Sequence, residues 1–142
     1  MRMTFAYGAN LDPAGMRQRC PSAKPLGHAC LENWHFRITV DGYASVAPRL
    51  GSAVHGVLWQ ISAKDEASLD AYEEVAGGLY RKTHLPVRGT NGPVRALVYV
   101  GRSRTSGRPR KGYLDKIVLP AARAWGLPPT HLCELESWLR PG

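Results

Sequence analysis

The sequence predicts an α+β fold: a small mixed, barrel-like sheet with helices packed outside it. Three observations point there. Segments of strand character dominate the chain up to Val100, and helical spacing of apolar residues takes over after Tyr113. One acidic helix interrupts the strands near the middle. Glycine and asparagine or aspartate cluster between the strand candidates, as hairpin turns require. At 142 residues the chain is expected to form a single domain spanning 1–142. A domain of that size folds without a disulfide or metal staple.

Thr4-Phe5-Ala6-Tyr7 reads as the first strand, and Gly8 breaks it. Asp12-Pro13 is an N-cap followed by proline at the first helical position, so a short helix runs through Met16 and Arg17 and stops before Pro21. His35 to Val40, Ala44 to Pro48 and Val54 to Gln60 are three strand candidates, with Asp41-Gly42 as the hairpin turn between the first two. Ser62-Ala63-Lys64-Asp65 carries the capping-box pattern that opens the acidic helix. Gly77-Gly78 is expected to end it in a left-handed cap. Tyr80 to Val87 and Val94 to Val100 complete the strands around a Gly89-Thr90-Asn91-Gly92 turn. Tyr113, Leu114, Ile117, Val118, Ala121 and Trp125 then follow helical spacing, with Pro120 expected to kink or split the helix. After Pro128-Pro129, Thr130 is placed to cap a last helix carrying Leu132, Leu135 and Leu139 on one stripe.

Composition bounds the function. No stretch approaches the roughly 20 apolar residues that span a bilayer, and the N-terminal apolar run is too short for a signal peptide. Cys20, Cys30 and Cys133 form no C-x-x-C pair and suit reduced thiols in a cytoplasm. The net charge of +8 favours polyanions, acidic small molecules or plain solubility. Five of the nineteen basic residues fall between Arg102 and Lys111, among Gly, Ser and Pro that argue for a mobile loop. That loop is a solvated surface segment, a lid over an acidic substrate or a nucleic-acid contact. It holds no aromatic residue for bases to stack on, which argues against nucleic acid. The five histidines show no metal-ligand spacing, and Trp34, Trp59, Trp125 and Trp138 are core or interface residues by type. Cys20 has no evident base beside it to make it a nucleophile.

Two constellations carry chemistry. Five of the eleven carboxylates sit in one ten-residue window: Asp65, Glu66, Asp70, Glu73 and Glu74. On a wheel of about 100° per residue, Leu69, Tyr72 and Ala76 make the apolar face. Glu73 falls about 40° from Leu69, Asp70 about 100° and Glu74 about 140°. Glu73 is therefore the acid expected to be partly desolvated, and Glu74 the one facing water. Burial raises a carboxylate's pKa toward the range of a general base. The competing reading is a rim acid paired with Arg or Lys. The second constellation is Tyr7-Gly8-Ala9-Asn10-Leu11, a strand that opens into a loop before a capped helix. Consecutive backbone N–H groups there form an anion site for a carboxylate or a developing oxyanion, or else a plain strand-to-helix turn.

Taken in order, four segments resemble the gamma-glutamylcyclotransferase family. Tyr7-Gly8-Ala9-Asn10-Leu11 is similar to its Y-G-S-N-L loop, and Gly56-Val57-Leu58-Trp59 to its G-x-[LIV]-[WY] strand. Leu69-Asp70-Ala71-Tyr72-Glu73-Glu74-Val75 with Gly78-Leu79-Tyr80 is similar to its L-D-x-x-E-G-x…Y stretch. Pro109, Tyr113-Leu114, Ile117 and Gly126-Leu127-Pro128 resemble its C-terminal helix segment. The resemblance implies a six-stranded barrel-like fold and cyclisation of a gamma-glutamyl amine or amide to 5-oxoproline, without metal or cofactor. It implies Glu73 as the catalytic acid/base, Tyr7, Gly8, Ala9, Asn10 and Leu11 as the loop that grips the glutamyl group, and Tyr113 near the pocket. A homodimer is compatible with the family, and no pattern here specifies one. The chain departs from the family at Ala9, where Ser is usual, and at Glu74, where Gly is common. Those departures keep open a binding module without turnover, and the charge of +8 keeps open a nucleic-acid binder.

Overall fold

The computed structural model describes residues 1–140. Five strands close into a barrel: β1 (Met3–Ala6), β2 (Lys24–Ile38), β3 (Ala44–Gln60), β4 (Tyr80–Gly89) and β5 (Gly92–Gly101). Around the ring the order is β1-β3-β2-β4-β5, and a parallel contact of Thr4 with Leu97 closes the seam between β1 and β5. Outside lie α1 (Pro13–Arg19), α2 (Ala63–Tyr72), α3 (Leu119–Ala124) and α4 (Pro129–Ser137). The expected α+β barrel is therefore present, with five strands where the resemblance implied six.

The difference lies in β2 and β3. Two strand candidates, one ending at Pro48 and the next starting at Val54, are one 17-residue strand that runs through Arg49 to Ala53. Pairing with β2 holds on both sides, from Trp34–Pro48 to Glu32–Ala53, while Arg49–Ser52 bulge out opposite Asn33. Asn33 takes a left-handed φ of 66°, and its Oδ1 accepts a bond from Gly51 N–H at 3.1 Å. The first half of β2, from Lys24, was not readable because Pro25, Gly27 and Glu32 interrupt its alternation. Gly56 is required by close approach: a Cβ there would lie 2.1 Å from the Ala6 carbonyl oxygen.

The capping signals behave as expected. Asp12 accepts from Gly15 N–H at 3.3 Å, and Ser62 and Asp65 form the full capping box. Pro120 sits in the first turn of α3, directly after a π-helical turn at Leu114–Val118, and Val118 and Leu119 keep helical dihedrals, so the chain changes helix type there and is not split. Two expectations fail at the C-terminus. α4 starts at Pro129 with Pro128 as its cap, so Thr130 lies inside the first turn. It ends at Ser137, which leaves Leu139 outside the helix and exposed, while Leu135 is buried.

Helix α2 ends earlier than the wheel assumed. It stops at Tyr72, with Glu73 as its C-cap. Glu74 then takes the left-handed conformation, φ 51°, that was expected of Gly77 or Gly78. Its N–H bonds the Ala71 carbonyl at 3.1 Å, and Val75 N–H bonds that of Asp70 at 3.0 Å. This is the Schellman pattern, which ties off the last free carbonyls of a helix. The stop comes from this pattern, so Gly77 and Gly78, three and four residues on, are not needed for it, although Gly78 is left-handed too, φ 85°. The wheel's apolar face is corrected with it: Leu69 is buried, but Tyr72 is 45% exposed and Ala76 lies in the turn beyond.

The basic segment is also corrected. It is strapped to the β2–β3 hairpin by Thr105 O with Val40 N, Gly107 N with Ile38 O, and Arg110 N with Gly42 O, at 2.9–3.1 Å. Gly107 permits the approach, since a Cβ would stand 2.7 Å from Thr39 O. The charged side chains of Arg102, Arg104, Arg108, Arg110 and Lys111 remain exposed, as a solvated segment requires. Trp59 is buried and meets Trp125 edge-on at 6.1 Å, and Trp34 and Trp138 pack against the core. Among the described residues no helix is long and apolar enough to cross a membrane.

Candidate active site

Past the end of β1 the chain leaves the sheet at Tyr7 and turns through Ala9–Leu11. Leu11 N–H to Gly8 O at 3.0 Å and Asp12 N–H to Ala9 O at 3.1 Å close the turn, leaving the amides of Gly8, Ala9 and Asn10 outside its own bonding. Beside this loop opens a cavity of about 680 Å³, measured with its mouth. Tyr7, Gly8, Ala9, Asn10, Glu73 and Tyr113 all line it. Leu11 does not; it is fully buried, and its carbonyl accepts from Trp125 Nε1 at 2.8 Å, which anchors the loop to the helical side. Gly8 fits because a Cβ would come within 3.0 Å of the Tyr113 hydroxyl and 3.1 Å of Ala44 Cβ.

The acidic window divides by partner. Asp65 is buried in the capping box. Glu66 bonds Lys82 and Arg2, and Asp70 bonds Lys82 at 3.0 Å and receives the Tyr99 hydroxyl at 2.8 Å. Glu73, partly buried at the end of α2, makes no ion pair among the described residues. The rim-pair reading therefore describes Glu66 and Asp70 rather than Glu73. Burial pushes the Glu73 carboxyl up to about 7, with the charge of Arg19 pulling against the rise. Glu73 is partly desolvated, as the wheel expects, but for a different reason: it lines the cavity as a helix cap and not as part of a helical face. Glu74 is exposed, as expected, yet it also lines the cavity.

Arg19 was not readable as a site residue; it is simply a basic residue in the last turn of α1. Its Nε donates to Asn10 Oδ1 at 2.9 Å, a terminal nitrogen donates to Ala9 O at 3.3 Å, and the guanidinium lies 4.1 Å from the centre of the Tyr72 ring. It thus ties the loop to the end of α2. Tyrosines supply most of the remaining wall. The Tyr7 hydroxyl donates to Tyr99 O, and that of Tyr80 to Ala44 O. The Tyr113 hydroxyl accepts from Ala44 N–H at 3.2 Å. Burial first, then the nearby Glu73 charge among others, holds the Tyr7 and Tyr113 hydroxyls well above the usual phenol range, so they stay protonated. Among the described residues, no three His, Cys, Asp or Glu side chains are arranged to hold a metal ion. Taken together, a carboxylate that titrates near neutrality faces loop amides and neutral hydroxyls, an arrangement that can move a proton and support a developing negative oxygen.

A family model described as the AIG2-like family matches residues 53–135. The gamma-glutamylcyclotransferases of Bos taurus and Homo sapiens are 28% and 29% identical, each over 94% of this chain and 76% of their own length. A solved structure named gamma-glutamyl cyclotransferase superposes with a TM-score of 0.88 at 26% identity, covering 96% of this chain and 86% of that one. YkqA from Bacillus subtilis superposes at 0.82 with 23% identity, covering 96% of this chain and 53% of its own, a likeness of fold alone. With the barrel, the loop and the acid in the order the sequence resemblance required, the chain belongs to the AIG2-like, gamma-glutamylcyclotransferase-like family.

Proposed function

We propose that the protein is a gamma-glutamyl cyclotransferase, releasing 5-oxoproline and a free amine from a gamma-glutamyl amide. The observation that carries this reading is the Glu73 carboxylate, without an ion pair among the described residues, in the same cavity as the loop from Tyr7 to Asn10. The loop amides receive the glutamyl group, and Glu73 takes a proton from the substrate's α-ammonium. The freed amine attacks the γ-carbonyl, with which it already shares a molecule; such tethering replaces much of the entropic barrier. Neutral donors along the loop stabilise the tetrahedral oxyanion. As the γ-carbon–nitrogen bond breaks, Glu73 returns its proton to the leaving nitrogen, then takes the second proton that ring closure leaves on the former α-nitrogen and passes it to the released amine, which departs as an ammonium while the lactam keeps one N–H. Ala9 removes a hydroxyl from the loop and leaves its backbone donors in place, and no step requires a metal.

The test is release of 5-oxoproline from a panel of gamma-glutamyl amino acids, amines and glutathione. Glu73→Gln is expected to slow it roughly a hundredfold or more, the usual contribution of a positioned acid/base. Turnover by that variant at the wild-type rate removes Glu73 from the mechanism. Tight ligand binding with no product across the whole panel identifies a binding module instead.

A further inference from the structure

We propose that the leaving half of the substrate carries a second positive charge, recognised by Glu74 and the tyrosine rim; the substrates are gamma-glutamyl amides of diamines or polyamines. This rests on the cyclotransferase reading above. All six tyrosines of the chain, Tyr7, Tyr43, Tyr72, Tyr80, Tyr99 and Tyr113, line the one cavity. Its charged lining residues are Glu73 and Glu74; among the described residues, no Lys, Arg or His lines it. In a chain of net charge +8, that wall is acidic and aromatic. Ring faces attract cations, and carboxylates do so more strongly. A leaving amino acid or peptide would bring a carboxylate to a wall with no cation to receive it, and would set that carboxylate near Glu74.

The two acids have separate tasks. Glu73 exchanges its proton with the α-amine and the leaving nitrogen. Glu74 is exposed and has no ion-pair partner among the described residues. It holds a left-handed φ of 51° at the Schellman position, where glycine would sit without strain. The cap needs only its backbone, so the cap does not explain a carboxylate there. Non-glycine residues that keep such a conformation collect at functional sites. Two arginines approach from outside the wall. Arg19 stacks on Tyr72 and is bonded to Asn10 and Ala9; Arg110 lies 4.7 Å from the Tyr43 ring centre and donates to Asp41 O at 2.8 Å. Neither lines the cavity. In the reaction the α-nitrogen–γ-carbon bond forms and the γ-carbon–leaving-nitrogen bond breaks. The distal ammonium takes no part and departs with the amine.

The experiment uses three gamma-glutamyl amides of matched length, made with diaminobutane, pentylamine and aminopentanoate. Their far ends are cationic, neutral and anionic. Turnover is read as 5-oxoproline release and binding by calorimetry, in the wild type, Glu74→Gln and Glu74→Gly. In the wild type the diaminobutane amide is expected to exceed the pentylamide by about fivefold in kcat/KM, the size of one half-exposed ion pair. Both variants are expected to bring that ratio close to one, and added salt to shrink it in the wild type alone. Equal or better use of the neutral or anionic amide overturns the proposal, as does a cationic preference that survives both substitutions. Binding without turnover of all three refutes the enzymatic reading, and the binding ratios then decide the recognition by the same criterion. Failure to bind any of the three overturns both.

Discussion

Replacing Glu73 by glutamine removes the proposed base and should also make the protein more stable, by an amount that depends on pH. The carboxyl moves from an ordinary 4.5 to about 7 on folding because burial disfavours its charge. A raised folded pKa means the native state binds the proton more tightly than the unfolded state. The group therefore costs no stability below about pH 4.5, where both states are protonated. The penalty grows between about 4.5 and 7, and is complete above about 7. Each pKa unit corresponds to about 1.4 kcal/mol, so the full shift sets an upper bound of about 3 kcal/mol. Some solvent reaches the side chain, and about 2 kcal/mol is the working value. Glutamine keeps the shape without the charge. Thermal unfolding at about pH 8 should show Glu73→Gln melting roughly 4 to 8 °C above wild type, at about 2 to 4 °C per kcal/mol for a chain near this size. At about pH 5 the two curves should nearly coincide. A gap of equal size at both pH values, or a less stable variant at the higher pH, would falsify the claim that Glu73 is desolvated and unpaired.

Three further predictions address other parts of the molecule. The proposed gamma-glutamyl cyclotransferase activity should fall about tenfold per pH unit below about 7, where Glu73 becomes protonated, and a profile flat down to about pH 5 would place the acid limb elsewhere. His131 is buried against Phe36 and His55 with both ring nitrogens unbonded, and burial first, then the His55 and His28 charges, lowers it to about 4. Its lowered pKa means stability present above about pH 6.5 and lost progressively as pH falls toward about 4, by up to about 3 kcal/mol. His131→Leu should flatten urea stability across that window; an unchanged slope counts against a neutral buried ring. Gly56→Ala drives a Cβ into the Ala6 carbonyl and should separate β1 from β3, costing about 3 kcal/mol or more, or giving no folded protein. Wild-type stability in that variant would mean the two strands are not packed so closely.

Signals confined to a few neighbouring residues were legible in the sequence: the caps at Asp12 and Ser62 and the Asp41-Gly42 turn. Each is decided by one residue's side chain or dihedral preference. The long pairing of β2 with β3 was not legible, because a bulge opposite Asn33 interrupts the alternation that reveals a strand while the ladder continues beyond it. Glu73, Tyr7, Gly8, Ala9, Asn10 and Tyr113 were named from the sequence and meet at one cavity. Leu11 belongs to the same motif but faces the core, since a tight turn of about three residues spaces successive side chains by about 120° and sends them to different sides. Arg19, Tyr43 and Tyr99 reach the site region through tertiary packing across distant elements, and nothing local marks them. The left-handed residue after Glu73 went unread because Gly77-Gly78 offered the stronger local signal for a helix stop.

The way α2 ends bears on how firmly the backbone beneath the Glu73 carboxylate is held. Three main-chain bonds fix the terminus: Glu73 N–H to Leu69 O at 2.8 Å, Glu74 N–H to Ala71 O and Val75 N–H to Asp70 O. None of these groups titrates in the accessible range, and none is an ion pair that dissolved salt would loosen. The main-chain turn under Glu73 is therefore held by groups that neither acidity nor ionic strength, which govern its charge, will loosen. Conditions can switch the proton on or off without undoing the backbone turn from which the side chain springs.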